Sequence, residues 1–380
     1  MNNKKYLFGI IVVLLIGVIV VSIFSRKEKD TLVVGSLLPL SGQVSAYGTM
    51  MQRGQLLALE EIKSKYNDSI KIAFFNTEHL KDVALSRLME AKNNNIQYFV
   101  ELFGSDQVEH CLNYAYDNNL FILSGVDTKP DLVEKGKGNF ARIMPSDADA
   151  TREIFLWIEE QGLKNVAILY VNDDWGEGLL NSALYNLNYS PLNLVGQFDI
   201  NRNQQSFTST VSKIKEKNPD ALCLFIYPDD GGRFIKEARR QNLKAGFYAT
   251  ENFTGNDMIQ TAQNSAEGVN LIVPATPESN PVHKQMVEKY IEKYKEEPTI
   301  FSLKGYDAVL VLYDVLQKAK TIASENYTIE DVKKVIANNY HFYGATGDIR
   351  FDENGEFIPT KYERMTYIVQ DKEIQLVPVK

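Results

Sequence analysis

The chain has 380 residues, with 49 acidic against 41 basic side chains and a net charge of −8 near pH 7. Positions 1–30 hold five of the basic and two of the acidic residues, so the remaining 350 residues carry a net charge of −11. That balance excludes the basic footprint of a nucleic-acid binder. The two cysteines, Cys111 and Cys223, lie in separate segments outside any C-x-x-C motif and read as buried packing residues, not as a disulfide framework.

Tyr6 to Phe24 form an uncharged apolar run of 19 residues, preceded by Lys4 and Lys5 and followed by Arg26-Lys27-Glu28-Lys29-Asp30. About 20 residues span a bilayer core, whereas the apolar part of a cleaved signal has about 7–15. The length of the run, and its poor cleavage site Ser22-Ile23-Phe24-Ser25, favour an uncleaved anchor over a cleaved export signal. Two basic residues precede it and three follow, a difference too small for charge to orient it. The rest of the chain is long enough for two domains at roughly 100–200 residues each.

From Thr31 onward, short β-branched or aromatic runs alternate with amphipathic stretches. Strands over Thr31–Leu38, Ile70–Asn76, Ile96–Leu102 and Phe121–Ser124 are separated by helices over Met50–Tyr66, Val83–Asn94 and Gln107–Asn118. After Phe140–Met144 the alternation restarts with helices over Ala148–Gln161, Gly178–Leu187, Phe207–Lys217 and Gly232–Gln241. Their partner strands are Val166–Tyr170, Leu192–Phe198, Ala221–Ile226 and Phe247–Thr250. Val269–Val273 is followed by the breakers Pro274 and Pro277, long helices near Val282–Lys295 and Phe301–Lys320, and a strand-rich end with an Asn354-Gly355 turn signal. The pattern predicts an α/β fold of two doubly wound parallel-sheet lobes. Binding loops then fall at the carboxyl ends of the strands.

Enzymatic motifs are missing. The sequence has no Walker loop and no G-x-S-x-G elbow. Gly136-Lys137-Gly138-Asn139-Phe140-Ala141 imitates a dinucleotide fingerprint but precedes a strand where it should follow one. His79, His110, His283 and His341 are too scattered to suggest a metal site, and Asp352-Glu353-Asn354-Gly355-Glu356 lacks the full spacing of a calcium loop. No catalysis, cofactor or metal is expected.

Several segments carry a family resemblance. These are Leu32-Val33-Val34-Gly35-Ser36-Leu37-Leu38-Pro39-Leu40-Ser41-Gly42, Ala46-Tyr47-Gly48, Gly54-Gln55-Leu56-Leu57-Ala58-Leu59-Glu60-Glu61-Ile62, Ser124-Gly125-Val126-Asp127-Thr128-Lys129-Pro130, Asp173-Asp174-Trp175-Gly176-Glu177-Gly178 and Tyr306-Asp307-Ala308-Val309. In order and spacing they resemble the branched-chain amino-acid binding proteins, type I periplasmic binding proteins that feed ABC transporters. The resemblance implies a clamshell with a three-segment hinge. One lobe is assembled from 31–145 with 275–344 and the other from 146–274 with 345–380, and they close on a small ligand by hinge motion. It also implies work outside the cytoplasmic membrane, with permease subunits as partners and the N-terminal segment as membrane attachment. The alternative is a membrane-tethered sensor or regulatory subunit of the same fold.

Ser105 opens a helix after the third strand, where a hydroxyl can cap the helix and meet a carboxylate. Thr128 sits at a second strand-to-helix junction, with Pro130 and Asp131 next in a capping pattern. The resemblance implies that both touch ligand, Ser105 at the α-carboxylate, and that Glu251 pairs with the ammonium group. Tyr227 matches a cleft tyrosine. Trp175 replaces another, exchanging a hydroxyl for a larger π face. Tyr47 and Phe301 line the side-chain pocket. Asp127 departs from the family, which has a small residue there. A second acid near Glu251 disfavours a purely aliphatic ligand unless it points away or binds a cation. A polar or basic amino acid, an amide or another small amine fits as well as leucine.

Overall fold

The computed structural model describes residues 32–379 except 69, 276–278, 360 and 372. The run Tyr6–Phe24, with its expected role as anchor or signal, lies outside the described residues. Among those described, no helix is long and apolar enough to cross a membrane.

The first lobe opens with β1 (Leu32–Leu38), α1 (Ser45–Tyr66), β2 (Ile70–Asn76), α2 (Lys81–Asn93), β3 (Tyr98–Leu102), α3 (Ser105–Asp117), β4 (Phe121–Ser124), α4 (Leu132–Gly136) and β5 (Phe140–Arg142). Its five strands run parallel in the order β2-β1-β3-β4-β5. They are apolar on both faces because both are covered, as parallel crossovers require. Phe99, Leu102 and Ile122 meet α2 and α3 on one side.

The second lobe is built from α5 (Asp147–Glu160), β6 (Asn165–Val171), α6 (Asp174–Leu187), β7 (Asn193–Ile200), α7 (Thr208–Lys217), β8 (Ala221–Phe225), α8 (Pro228–Arg240), β9 (Gly246–Ala249), α9 (Asn256–Ala262) and β10 (Val269–Pro274). The chain then returns to the first lobe through α10 (Pro281–Tyr294), α11 (Ile300–Ala323), α12 (Ile329–Ala337) and the hairpin β11 (His341–Gly344) and β12 (Gly347–Arg350). It ends in the second lobe with β13 (Tyr362–Gln370) and β14 (Glu373–Pro378). The second sheet runs β14-β13-β10-β9-β8-β6-β7. Two antiparallel strands, β13 and β14, are thereby added to the edge of a parallel sheet.

On the other face of the first sheet, α1 and α11 pack against Val34, Val100 and Leu123. Their backbones approach so closely that a Cβ on Gly54 would collide with the Ser302 carbonyl, and one on Gly305 with the Met51 carbonyl. This explains two glycines inside long helices, where each otherwise costs about 1 kcal/mol relative to alanine.

One boundary differs from the expected one. Residues 345–357 belong by resemblance to the second lobe, yet Ala345, Ile349, Phe351 and Phe357 are buried in the first core. The buried Asp307 carboxylate of α11 accepts the Ala345 and Thr346 N–H groups, each at 2.7 Å, and so fastens the hairpin to the first lobe. The last crossing therefore lies just before β13. At Asn354-Gly355 the chain makes a turn closed by the antiparallel bridge of Phe351 with Phe357. Asp352 Oδ1 accepts the Asn354 and Glu356 N–H groups there, an Asx turn.

Candidate functional site

The carboxyl ends of β3 and β4 face those of β6, β8 and β9 across one cavity of about 290 Å³. Sheets of this type place crevices at such ends. All eight residues singled out in the sequence line it: Tyr47, Ser105, Asp127, Thr128, Trp175, Tyr227, Glu251 and Phe301.

After β3 the chain passes Phe103, turns at Gly104 with φ 109° and enters α3 at Ser105. Only glycine suits this turn, and a side chain at 104 would also collide with Gln107. Gly104, not Ser105, is the cap of α3, and no side chain caps the helix. The Ser105 hydroxyl accepts a long bond from Lys129 N–H at 3.4 Å. Thr128 is not a cap either: α4 starts after Asp131, again without a side-chain cap. Burial pushes the neighbouring Asp147 carboxyl up to about 7, while the Thr128 hydroxyl favours its charged form. Both capping expectations are thus replaced, and both hydroxyls stand at the cavity wall.

The aromatic residues form a continuous wall. Phe301 lies 4.8 Å from Tyr47 and 6.1 Å from Phe103, ring centre to ring centre. Tyr47 stacks across the cleft on Tyr227 at 6.3 Å, and Tyr227 meets Trp175 at 4.9 Å. Trp175 reaches this place because Asp173 caps α6, accepting the Gly176 N–H at 2.9 Å and putting the indole in the first helical turn. Tyr227 is backed by Arg202, whose guanidinium sits 4.2 Å from the ring centre. That guanidinium is held by Asp229 at 2.9 Å and by Asp230. The lobes are also linked at the cleft edge by the Lys81–Asp174 ion pair.

Glu251 opens a short 3-10 turn after β9. Burial pushes its carboxyl up to about 7, while Lys304 of α11 favours the charged form. Lys304 is itself pushed down to about 8 by burial, and its Nζ donates to the Ile143 carbonyl at 2.6 Å.

Asp127 turns its carboxylate away from the cavity and into the first lobe. Oδ1 accepts the Gly104 N–H at 2.9 Å, and Oδ2 accepts the Ser124 hydroxyl at 2.7 Å. It is therefore the acid that points away, while Asp106, Asp173, Asp174 and Glu251 are the other acidic residues that line the cavity. The sequence reading missed Phe103, His79, Asp106, Met144, Asp173 and Asn252, which also line the cavity. Phe103 and Asp106 flank Ser105 and were open to the same argument from strand ends. His79 and Met144 reach the cavity only through tertiary packing. Among the described residues, no cluster of three or more His, Cys, Asp or Glu side chains could hold a metal ion.

Comparison with known proteins agrees with this architecture. The periplasmic binding protein family matches residues 31–370. The chain is 22% identical over 338 residues to the leucine-, isoleucine-, valine-, threonine- and alanine-binding protein of Pseudomonas aeruginosa, covering 86% of this chain and 87% of that one. Its fold matches the branched-chain amino acid transporter substrate-binding protein of Streptococcus pneumoniae, solved with isoleucine, at a TM-score of 0.79 and 20% identity over 92% of this chain and 99% of that one. A solute-binding protein of an ABC transporter from Rhodopseudomonas palustris, solved with 3,4-dihydroxybenzoic acid, matches at 0.82 and 15% identity over 92% and 97%. With a family match along nearly the whole described chain and two lobes facing one cavity, the protein belongs to the periplasmic binding proteins and is a binding protein, not an enzyme.

Proposed function

We propose that the protein captures an α-amino acid, or a related amine or amide, between its lobes outside the cytoplasmic membrane. It then delivers that ligand to the permease subunits of an ABC transporter while its N-terminal segment holds it at the membrane. The observation that carries this reading is the placing of Ser105 and Thr128 on one lobe and Glu251 on the other around a single aromatic-walled cavity. A zwitterion fits that arrangement. Its carboxylate meets the Ser105 hydroxyl and the free N–H groups that open α3. Its ammonium meets Glu251 in a charge-assisted bond. Its side chain lies against Tyr47, Phe301, Trp175 and Tyr227. The amino acids named for the Pseudomonas and Streptococcus relatives support this choice. The roles of permease and membrane segment rest on the family resemblance.

Only a ligand that touches both lobes binds the closed form better than the open one, and that difference is all that can drive closure. The test is a thermal melt of the detergent-purified full chain against amino acids, amides and polyamines. A ligand at 100 times its Kd stabilises by about 2.7 kcal/mol. A raised midpoint with an amino acid supports the reading, and a folded sample that responds to none of them defeats it.

A further inference from the structure

Behind the cavity wall, Glu101 and Asp127 form a buried pair of carboxyl groups that no ligand contact accounts for. Glu101 is 0% exposed and Asp127 2%. Glu101 stands where β3 bulges. Gly35 of β1 pairs with Phe99 and Leu37 with Leu102, so β3 has one more residue than β1 over this stretch. Glu101 takes φ 96° there, in a setting where bulges ordinarily use glycine. Strain of this kind persists only where the surroundings impose it.

The surroundings are a closed set of hydrogen bonds. Glu101 Oε2 accepts the Gly125 N–H at 2.6 Å, and Oε1 accepts the Ser124 hydroxyl at 3.1 Å. Asp127 accepts the same hydroxyl at 2.7 Å and the Gly104 N–H at 2.9 Å. The carboxyl groups also hydrogen-bond each other. Ser124 has one hydroxyl proton and cannot serve two carboxylates at once.

Among the described residues, neither carboxyl group has a cation as a hydrogen-bond or ion-pair partner. Lys304 of α11 donates to the Ile143 carbonyl. Arg142 of β5 donates to the backbone carbonyls of Asp127, Lys129 and Pro130 and to the Glu356 carboxylate. Asp307 of α11 is bound by Ala345 and Thr346. On the cavity side stand His79, Asp106 and Glu251, of which Asp106 adds repulsion to Asp127. Two buried carboxylates side by side cannot both stay charged, so one proton remains between them. Burial, with Asp127 adjacent, holds Glu101 well above the usual carboxylate range.

The pair joins two ligand-facing loops, since Gly104 immediately precedes Ser105 and Asp127 immediately precedes Thr128. We propose that Glu101 and Asp127 are positioning residues: by sharing one proton they set Ser105 and Thr128 at the spacing from which both reach one ligand, and affinity falls when that proton leaves. This rests on Ser105 and Thr128 being ligand contacts. The sign comes from linkage. The binding-competent arrangement holds the proton, so the pair's own contribution to affinity is full at lower pH, and affinity falls about tenfold per pH unit once the proton is lost from the unliganded protein.

The test uses the full chain in detergent, titrated with L-leucine from pH 5.5 to 9, in wild type, Glu101→Gln and Glu101→Gly. An amide at 101 accepts from Gly125 and donates to Asp127 at every pH. Glu101→Gln is therefore expected to bind like wild type at pH 6 and to lose the decline at high pH. Glu101→Gly suits the backbone but removes the tie, and is expected to bind more weakly throughout. Glu251 is common to all three proteins, so its own titration cancels in the comparison. Infrared difference spectra without leucine supply an independent readout: a protonated-carboxyl band near pH 7.5 that is stronger in wild type than in Glu101→Gln, which keeps only the share of groups such as Glu251 and Asp147. An unchanged pH profile or an unchanged band in Glu101→Gln overturns the proposal. If leucine fails to bind wild type at any pH, the ligand reading is what fails, and the band still decides whether the proton is shared.

Discussion

The two lobes hold their halves of the cavity by different means. On the first lobe, Ser105, Asp127 and Thr128 sit on buried polar supports: Gly104 and Ser124 donate to Asp127, and Arg142, 0% exposed, grips the 127–130 loop and pairs bidentately with Glu356 at 2.7 and 2.6 Å. On the second lobe, Trp175 and Tyr227 are half-buried rings in contact with each other, and Glu251 keeps part of its surface towards the cavity. Buried networks allow one arrangement and penalise any unsatisfied member, whereas packed rings tolerate shifts. The loops that carry Ser105 and Thr128 are thus held in one arrangement, while the facing rings Trp175 and Tyr227 keep room to adjust.

This contrast can be broken in order of effect. Arg142→Met strips Glu356 and three loop carbonyls of their partner, and denaturant unfolding should show a loss of about 3–5 kcal/mol. Glu251→Gln leaves the fold intact but weakens amine ligands by about 1.5–3 kcal/mol, read by calorimetric titration. The same variant sharpens the pH behaviour. Because burial raises Glu251 to about 7, the free protein carries it protonated below that pH, and an ammonium ligand must first displace the proton. Amine affinity should therefore fall about tenfold per unit as pH drops below 7 in wild type, and this low-pH decline should vanish in Glu251→Gln. Trp175→Ala should cost about 0.5–1.5 kcal/mol and change the order of preference within a ligand panel, a result that a Ser105 variant should not reproduce. Lys81→Ala removes an ion pair between partly exposed side chains. Stopped-flow release should then quicken by an amount equivalent to about 0–1 kcal/mol, fading at high salt.

The alternation of short strands with amphipathic helices was legible because the inner strands are covered on two faces, which makes most of their residues apolar. Six of the eight candidate site residues follow strand ends, while Tyr47 and Phe301, near the starts of α1 and α11, were marked only by the family resemblance. What escaped the sequence depends on tertiary contacts. Segment 345–357 has the pattern of any hairpin, and only the Asp307 carboxylate and the pocket for Phe351 and Phe357 assign it to the first lobe. Ser105 reads as a cap until Gly104 is seen at φ 109°. Asp127 stood out as an unusual acid, but its partner did not. Glu101 lies inside the apolar run Tyr98–Leu102, and an acid in such a strand is itself the signal of a buried polar site. The bulge that aims it inward leaves no trace in hydrophobic periodicity.

Phe301, Lys304 and Asp307 succeed one another at three-residue intervals along α11. The first touches the cavity, the second holds the Ile143 carbonyl where the chain leaves the first lobe, and the third holds the hairpin that leads back to the second. Residues so spaced share one side of a helix. In mechanical terms α11 is an axle, bearing on the cavity at one end and, along its length, on two segments that lead to the crossings between the lobes.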